Sequence, residues 1–600
     1  MMQLNGSITL SASDLAAFLG CTHRTALDMA VAVGARAKPH VEEDPLWEPL
    51  QLRGLAHEAQ YVGSLRASGR SVLDLRDGTF AERVEQTLGA MRAGVDVIVQ
   101  GALQDRPWMG YPDVLLRVET ASAFGAWSYE VVDTKLSRET RAGTILQLGL
   151  YSAMLHTAQG AAPRSFHVVT PDPVSPQQTY RVNDYAAYVR LVCAQLKQTV
   201  ARPHAEVAQA HYPEPVEQCV VCRWQSTCAT QRRADDHLSL VAGISRTQRD
   251  ELASRAVDTL TDLSSMALPM PFKPRRGSVA SYERVREQAR LQVASRTTAV
   301  PAYEVLDTPA PSTEAFREQP PMGLHRLPEP SAGDLFLDLE GDPFVADGGR
   351  EYLFGLVDAN GQYRARWAFS EGEEKAAFVW VMDTIAEAIA AHPDMHVYHY
   401  APYEPAAFKR LMGRHATRER ELDTMLRAER FVDLYGVVRQ GLRVGVERYS
   451  IKNLEPLYGY TRDVPLREAN RVLREMELGL MTGTAHTLPR EVHAAVEGYN
   501  RDDCVSTLRL RNWLETVRSI RIASGVEIPR PTPQSGAASA AVDEKAQRVE
   551  ALRARLLDGV PEDRTARDAA AQGRWLLAYM LDYHRREDKA TWWEYFRLRE

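Results

Sequence analysis

The chain has 600 residues, of which 44% are hydrophobic and 25% charged, and it carries a formal net charge of −7. That length exceeds a single core and calls for three or four domains. The acidic balance excludes a globally basic nucleic-acid binder, so any such surface is local. No run of about 18 apolar residues is present to span a membrane. The opening MMQLNGSITLSASDL lacks a basic-then-apolar leader, so the cytoplasm is the expected compartment. The six cysteines, Cys21, Cys193, Cys219, Cys222, Cys228 and Cys504, read as thiols or metal ligands rather than disulfides.

Residues 1–235 mix helix and strand. Ser13–Leu19 reads as a short helix delivering Cys21, and a helical stretch around Arg53–Glu58 follows. Val95–Val99, Val114–Val118 and Tyr129–Val132 read as strands. A helix carrying Gln147 and Tyr151 comes next, then a strand at Ser165–Thr170 and helix over 184–209. Residues 236–268 resemble a helix-hairpin-helix element turning at Gly243-Ile244, and a small structural hairpin is the equal alternative. Residues 269–333 read as a proline-rich linker with one helix at 281–294. A second α/β block spans 334–522. It has a three-strand meander (Leu335–Glu340, Tyr352–Val357, Tyr363–Phe369) and a helix at 372–391. A strand at His396–Tyr400, a helix at 404–413, a strand at Arg430–Leu434 and a helix at 491–518 complete it. Residues 523–542 read as a linker, and 543–600 as a helical segment whose Trp592, Trp593, Tyr595 and Phe596 should be buried.

The first chemical signal is Glu130-Val131-Val132-Asp133-Thr134-Lys135-Leu136. Asp133 and Lys135 are two apart at a strand end and share a face. Gln147 and Tyr151 are four apart and share a helix face. A carboxylate that holds a divalent cation, beside a lysine that steadies charge, suits phosphodiester hydrolysis. His57 on an upstream helix and Asp113 at a strand start complete an ordered set. The set resembles the RecB-like branch of the PD-(D/E)xK nucleases. The resemblance implies a restriction-endonuclease-like fold. It implies that Asp113, Asp133 and His57 hold Mg²⁺ or Mn²⁺. It gives Lys135 the attacking water, and Gln147 and Tyr151 contact with DNA or support of the site.

Cys219-x2-Cys222-x5-Cys228, with Cys21 far upstream, resembles the iron–sulfur branch of the same nucleases and implies a structural [4Fe–4S] cluster. Zinc is the rival, disfavoured because structural zinc usually takes two close pairs. Cys193 and Cys504 read as ordinary buried thiols.

The second signal is Asp338-Leu339-Glu340, two acids on one strand face, with Tyr499 and Asp503 on a late helix. These resemble the DnaQ-like, DEDD-type exonucleases of the RNase H fold, in which four carboxylates hold two metals about 4 Å apart. By that resemblance Asp338, Glu340 and Asp503 are ligands and Tyr499 orients the water. Glu404 stands where the family has Asp, a reach longer by roughly 1 Å. Asp433 is a substitute ligand or a neighbour of the site.

Together the halves resemble a bacterial family of RecB-like nucleases, larger members of which carry a C-terminal helicase. No phosphate-loop motif occurs in this chain, so it holds no helicase motor; the resemblance implies a helicase module, in cis or in trans, as a partner. The expected architecture is multi-domain α/β. A restriction-endonuclease-like domain and an RNase H-like domain are joined by a helical hairpin and linker and followed by C-terminal helices. The expected activity is a DNA nuclease of repair, recombination or defence, acting on single-stranded or end-bearing DNA, with the RNase H-like site as a second, 3′→5′ exonuclease. A nucleic-acid-binding scaffold with degenerate sites and an RNA-directed nuclease are the alternatives.

Overall fold

A computed structural model describes every residue except 5, 41–46, 138, 172–175, 309–320, 346–347, 538–539, 562 and 600. The chain divides into two compact units, Met1–Leu240 and Val241–Glu600.

The first unit is built on six strands: β1 (Val72–Asp74), β2 (Val97–Val99), β3 (Val114–Val118), β4 (Ser128–Thr134), β5 (Ser165–Val169) and β6 (Gln177–Arg181). They lie side by side in chain order, β1 to β6. β1 pairs parallel with β2 and β4 with β5; the other neighbours are antiparallel. The helices that flank the site are α1 (Ala12–Gly20), α2 (Thr22–Ala32), α3 (Trp47–Ala67), α4 (Ala142–Gln159) and α5 (Gln225–Ala234). β4 is buried from Ser128 to Asp133, as a central strand covered on both faces should be. Tyr129 and Val131 enter a core with Leu148 and Leu155 of α4, while Val132 packs with Val62 of α3. Sheet alternation therefore sends Asp133, in phase with Val131, toward α4. The expected helix over 184–209 is two helices, Val182–Val200 and His204–Ala210. They are broken at Pro203, which has no amide hydrogen to continue the ladder.

In the second unit the sheet has β7 (Leu335–Asp342), β8 (Arg350–Asp358), β9 (Tyr363–Trp367), β10 (Val397–His399) and β11 (Phe431–Asp433) in the order β9-β8-β7-β10-β11. The meander β7-β8-β9 is antiparallel, and β10 and β11 add in parallel. Leu335, Leu337 and Leu339 pack on one face with Phe378 of the helix Glu371–Ala391. Phe336 enters a second core with Leu508 and Leu510 of α9 (Arg490–Ala523). Asp338 and Glu340 share the α9 face, half-buried between buried leucines.

The stretch expected to be a proline-rich linker is partly integrated into this unit. The helix Val279–Ser295 sends Gln288 Nε2 to the Val444 carbonyl, 2.8 Å away. Tyr303–Val305 pairs antiparallel with Leu442–Val444. Gly243 does turn with a positive φ of 77°. It lies, however, between a 3-10 turn, Leu238–Leu240, and the helix Arg246–Ala253. The next helix, Leu260–Ser265, comes only after a further loop. In 523–542, Arg530 donates to Glu515 at 2.6 Å and to Glu329 at 2.9 Å. The C-terminal aromatics correct an expectation: Trp592 is 56% and Tyr595 48% exposed, while Trp593 is half-buried. Trp593 packs on the sheet core and points its indole N–H to Asp423 Oδ1, 3.3 Å away. The side chain of Phe596 lies outside the described residues.

Candidate active sites and the cysteine cavity

In the first unit the end of β4 brings Asp133 and Lys135 together, with Lys135 Nζ 2.7 Å from Asp133 Oδ2. The pair meets at ion-pair distance, and no donor is aligned on Oδ2 as a hydrogen bond. Gln147 Nε2, reaching from α4, donates to the other oxygen at 3.2 Å. Asp113, just before β3, accepts from the Thr134 amide at 2.9 Å and its hydroxyl at 3.1 Å. Burial first, then the Asp113 carboxylate, push the Asp133 carboxyl up to about 7 against the pull of Lys135. Tyr151 is buried over Gly110, where an added Cβ would stand 2.4 Å from the ring. Its phenol is pushed up by burial and then by Asp133 and Asp113.

His57 Nε2 lies 3.2 Å from the Val169 carbonyl on β5, in the register position beside Thr134. A carbonyl only accepts, so Nε2 carries the proton and Nδ1 is the nitrogen left to ligate. Its chain neighbour Glu58, which sequence reasoning passed over, is 5% exposed. Glu58 accepts from Arg76 and Gln100, each at 2.9 Å. Burial and then the Asp113 charge raise its carboxyl. An acid beside the helix histidine was the available signal.

The four expected cluster thiols, Cys21, Cys219, Cys222 and Cys228, line one small cavity. Cys21 ends α1 and caps α2, its Sγ accepting from the Arg24 amide at 3.4 Å. The Val216 amide donates to Cys219 Sγ at the same distance. The late segment is pinned to α2 through Asp28, whose Oδ1 accepts from Arg223 at 2.6 Å and Trp224 at 2.8 Å. Gly20 leaves room for Gln218, whose buried Oε1 has no hydrogen-bond partner and borders the same cavity. Of the remaining thiols, Cys504 is buried and Cys193 half-buried against the core.

In the second unit Asp338, Glu340 and Asp503 come together with their ligand oxygens within 4.8 Å of one another. Burial, then the Asp503 carboxylate, push both Asp338 and Glu340 well above the usual carboxylate range. Two acids stand side by side on α9, and only one faces the cluster. Asp502 accepts from the Tyr460 hydroxyl at 2.7 Å and from the Asp463 and Val464 amides at 3.2 and 3.1 Å. Asp503 Oδ1 is met by Arg462 Nη2 at 2.6 Å. Asn500 Nδ2 donates to Asp338 Oδ2 at 2.8 Å. Tyr499, one turn before Asp503, accepts from Lys452. Neither Lys452, on the short helix Ile451–Leu454, nor Arg462, in the loop after it, has a spacing signal in the sequence, because each comes from a segment beyond β11.

Glu404 lies outside the close group of three, although its charge raises both Asp338 and Glu340. It is 4% exposed, its Oε2 is 3.5 Å from His399 Nδ1, and that oxygen has no hydrogen-bond partner. Asp433 is occupied elsewhere: its Oδ1 accepts from the Ala401 and Tyr435 amides, both at 2.9 Å. It caps a helix and holds a residue at φ 73° rather than facing the acids.

Among the described residues no helix is long and apolar enough to cross a membrane. A cluster of close carboxylates suits a divalent cation, because bringing them together is costly without positive charge. The whole chain matches no curated protein. Residues 335–515 match the family model of the RNase H superfamily, and with the sheet and acids described above this stretch is an RNase H-like domain, of a type that typically works as a metal-dependent nuclease.

Proposed function

We propose that the chain is a metal-dependent nuclease that hydrolyses phosphodiester bonds in DNA, on single strands or free ends, in repair, recombination or defence. The observation that carries this reading is the close group Asp338, Glu340 and Asp503 within the segment that matches the RNase H superfamily. Asp338, Glu340 and Asp503 would hold Mg²⁺ or Mn²⁺, with Glu404, whose Oε2 has no hydrogen-bond partner, as the fourth carboxylate. The ions, when bound, neutralise phosphate charge and make water a better nucleophile. Tyr499 then orients the water, and Asn500 holds Asp338 in place. The polarity proposed for this site is 3′→5′.

A second, RecB-like site at Asp113 and Asp133 is supported by the contacts of Lys135 and Gln147 with Asp133. Here Asp113, Asp133 and His57 would hold the ion, Lys135 would position the attacking water, and Gln147 and Tyr151 would contact DNA or steady the site. The cysteine cavity supports a [4Fe–4S] cluster over zinc. A single zinc at Zn–S of about 2.3 Å needs thiolates about 3.8 Å apart. Among the described residues, no three of these four sulfurs fall within the 4.8 Å reached by the acids. Burial holds the Cys21 and Cys228 thiols above their ordinary value, and the backbone N–H donor to Cys21 pulls it back only in part toward the thiolate. The cluster's part is to tie the α1–α2 junction to the late cysteine segment. A helicase that delivers strands is the partner this reading calls for.

A scaffold that binds without cutting draws on one observation, the Arg462 contact that already occupies an Asp503 oxygen. Matched DNA and RNA oligonucleotides with and without Mn²⁺ separate the readings. DNA cleavage that requires the ion supports the proposal. Binding without cleavage supports the scaffold, and cleavage confined to RNA supports an RNA-directed enzyme.

A further inference from the structure

Lys452 belongs to no motif legible in the sequence, yet the fold brings it to the RNase H-like site. It stands on the short helix Ile451–Leu454. Its ammonium donates to the Tyr499 hydroxyl and lies 4.6 Å from the centre of that ring. Tyr499 and Asp503 are one turn apart on α9 and share its face. Asp503 closes with Asp338 and Glu340 to within 4.8 Å. Arg462 flanks the same ring at 5.6 Å, but its Nη2 is divided between Glu455 and Asp503, 2.6 Å from each.

We propose that Lys452 is a positioning residue with two roles at this site: it fixes the Tyr499 hydroxyl, and it is, beside Arg462 on Asp503, a resident cation with which a divalent ion competes for the field of Asp338, Glu340 and Asp503. This rests on the reading of those acids as metal ligands. A phenol oxygen has one proton to give and two lone pairs to accept with. An ammonium on one lone pair leaves the O–H a restricted set of directions, which is what orienting a water requires. Three carboxylates this close repel one another, and a neighbouring ammonium relieves part of that repulsion. The Lys452 charge acts on both Asp338 and Glu340, opposing the upward push of burial and of their fellow acids. Removing it should leave a site that binds a divalent cation more tightly and turns over more slowly. A lysine that only packed would change neither in that direction.

The test uses the full chain carrying Asp133→Asn, so that the RNase H-like site is read alone. Mn²⁺ binding by electron paramagnetic resonance and single-strand cleavage are measured for this parent and with Lys452→Met, Lys452→Arg or Asp338→Asn added. Expected for Lys452→Met is Mn²⁺ affinity raised about tenfold and kcat lowered about tenfold at little-changed KM. Lys452→Arg, which keeps the charge and guards against a folding defect, should return the affinity to the parent value. The inference is overturned if Lys452→Met leaves affinity and kcat unchanged or weakens Mn²⁺ binding, or if Lys452→Arg tightens binding as Met does. Asp338→Asn should lose Mn²⁺ at this site; parent-like binding there would overturn the metal-site reading itself, whatever Lys452 does.

Discussion

Asn500 fills the space that a side chain on Gly355 would need. Gly355 lies across from Asp338 in the β7–β8 register, and a Cβ there would stand 1.6 Å from Asn500 Oδ1. The amide is held by the Tyr363 hydroxyl at 2.8 Å and in turn holds Asp338. The missing side chain of one strand thus fixes a candidate metal ligand on the next. Gly355→Ala should cost about 1–3 kcal/mol by overpacking and reduce cleavage at this site further than the lost stability explains. Thermal melting and cleavage of the same preparation check this; wild-type values in both would contradict it.

Asp502 and Asp503 are adjacent but differ in task. Asp502→Asn should cost about 1–3 kcal/mol, because it weakens the acceptor of two amides and a phenol, while the folded protein still cuts. Asp503→Asn should abolish Mn²⁺-dependent cutting at this site. Melting curves beside cleavage rates distinguish the two; equal loss of cleavage in both would refute the division.

Much of this was legible in residue spacing. Asp338 and Glu340 alternate with buried leucines, so that strand shows its acid face in sequence, whereas Asp133 ends a wholly buried run and is marked by its two-residue spacing from Lys135. The cysteine grouping was likewise visible, although only the fold brings Cys21 to the other three. Lys452, Arg462 and Asn500 were not legible: they act through contacts between elements far apart in the chain, which no local period encodes. Asp433 misled for a related reason, since an acid at a strand end serves equally as a ligand or as a helix cap. The proline-rich stretch misled because composition does not reveal that Gln288 finds a backbone carbonyl to bond.

Asp133 makes the metal-free protein sensitive to pH. Its folded carboxyl, at about 7, binds a proton more tightly than the ordinary value of 3.8. Stability is therefore highest toward the acid side of that window and falls as pH rises from about 4 to about 7. Asp133→Asn should flatten this slope and be the more stable protein above pH 7. Divalent ions, which take the deprotonated form, should restore stability to the wild type there. Melting across pH with and without Mn²⁺ checks it; an unchanged slope in the mutant would count against the site's electrostatics.

Anaerobically purified protein should be brown and contain iron and sulfide. Cys228→Ser should lose the colour and lower the melting temperature of the first unit. A colourless protein holding one zinc would refute the cluster.

Two metal-dependent cutting sites are proposed, one at Asp113 and Asp133 and one at Asp338, Glu340 and Asp503. The most direct test is Mn²⁺-dependent cleavage of end-labelled single-stranded DNA by wild type, Lys135→Ala, Asp338→Ala and the double mutant, each verified as folded. Partial cleavage is expected in each single mutant, with different product patterns, and none in the double. Cleavage by the double mutant at the wild-type rate would contradict the two-site proposal.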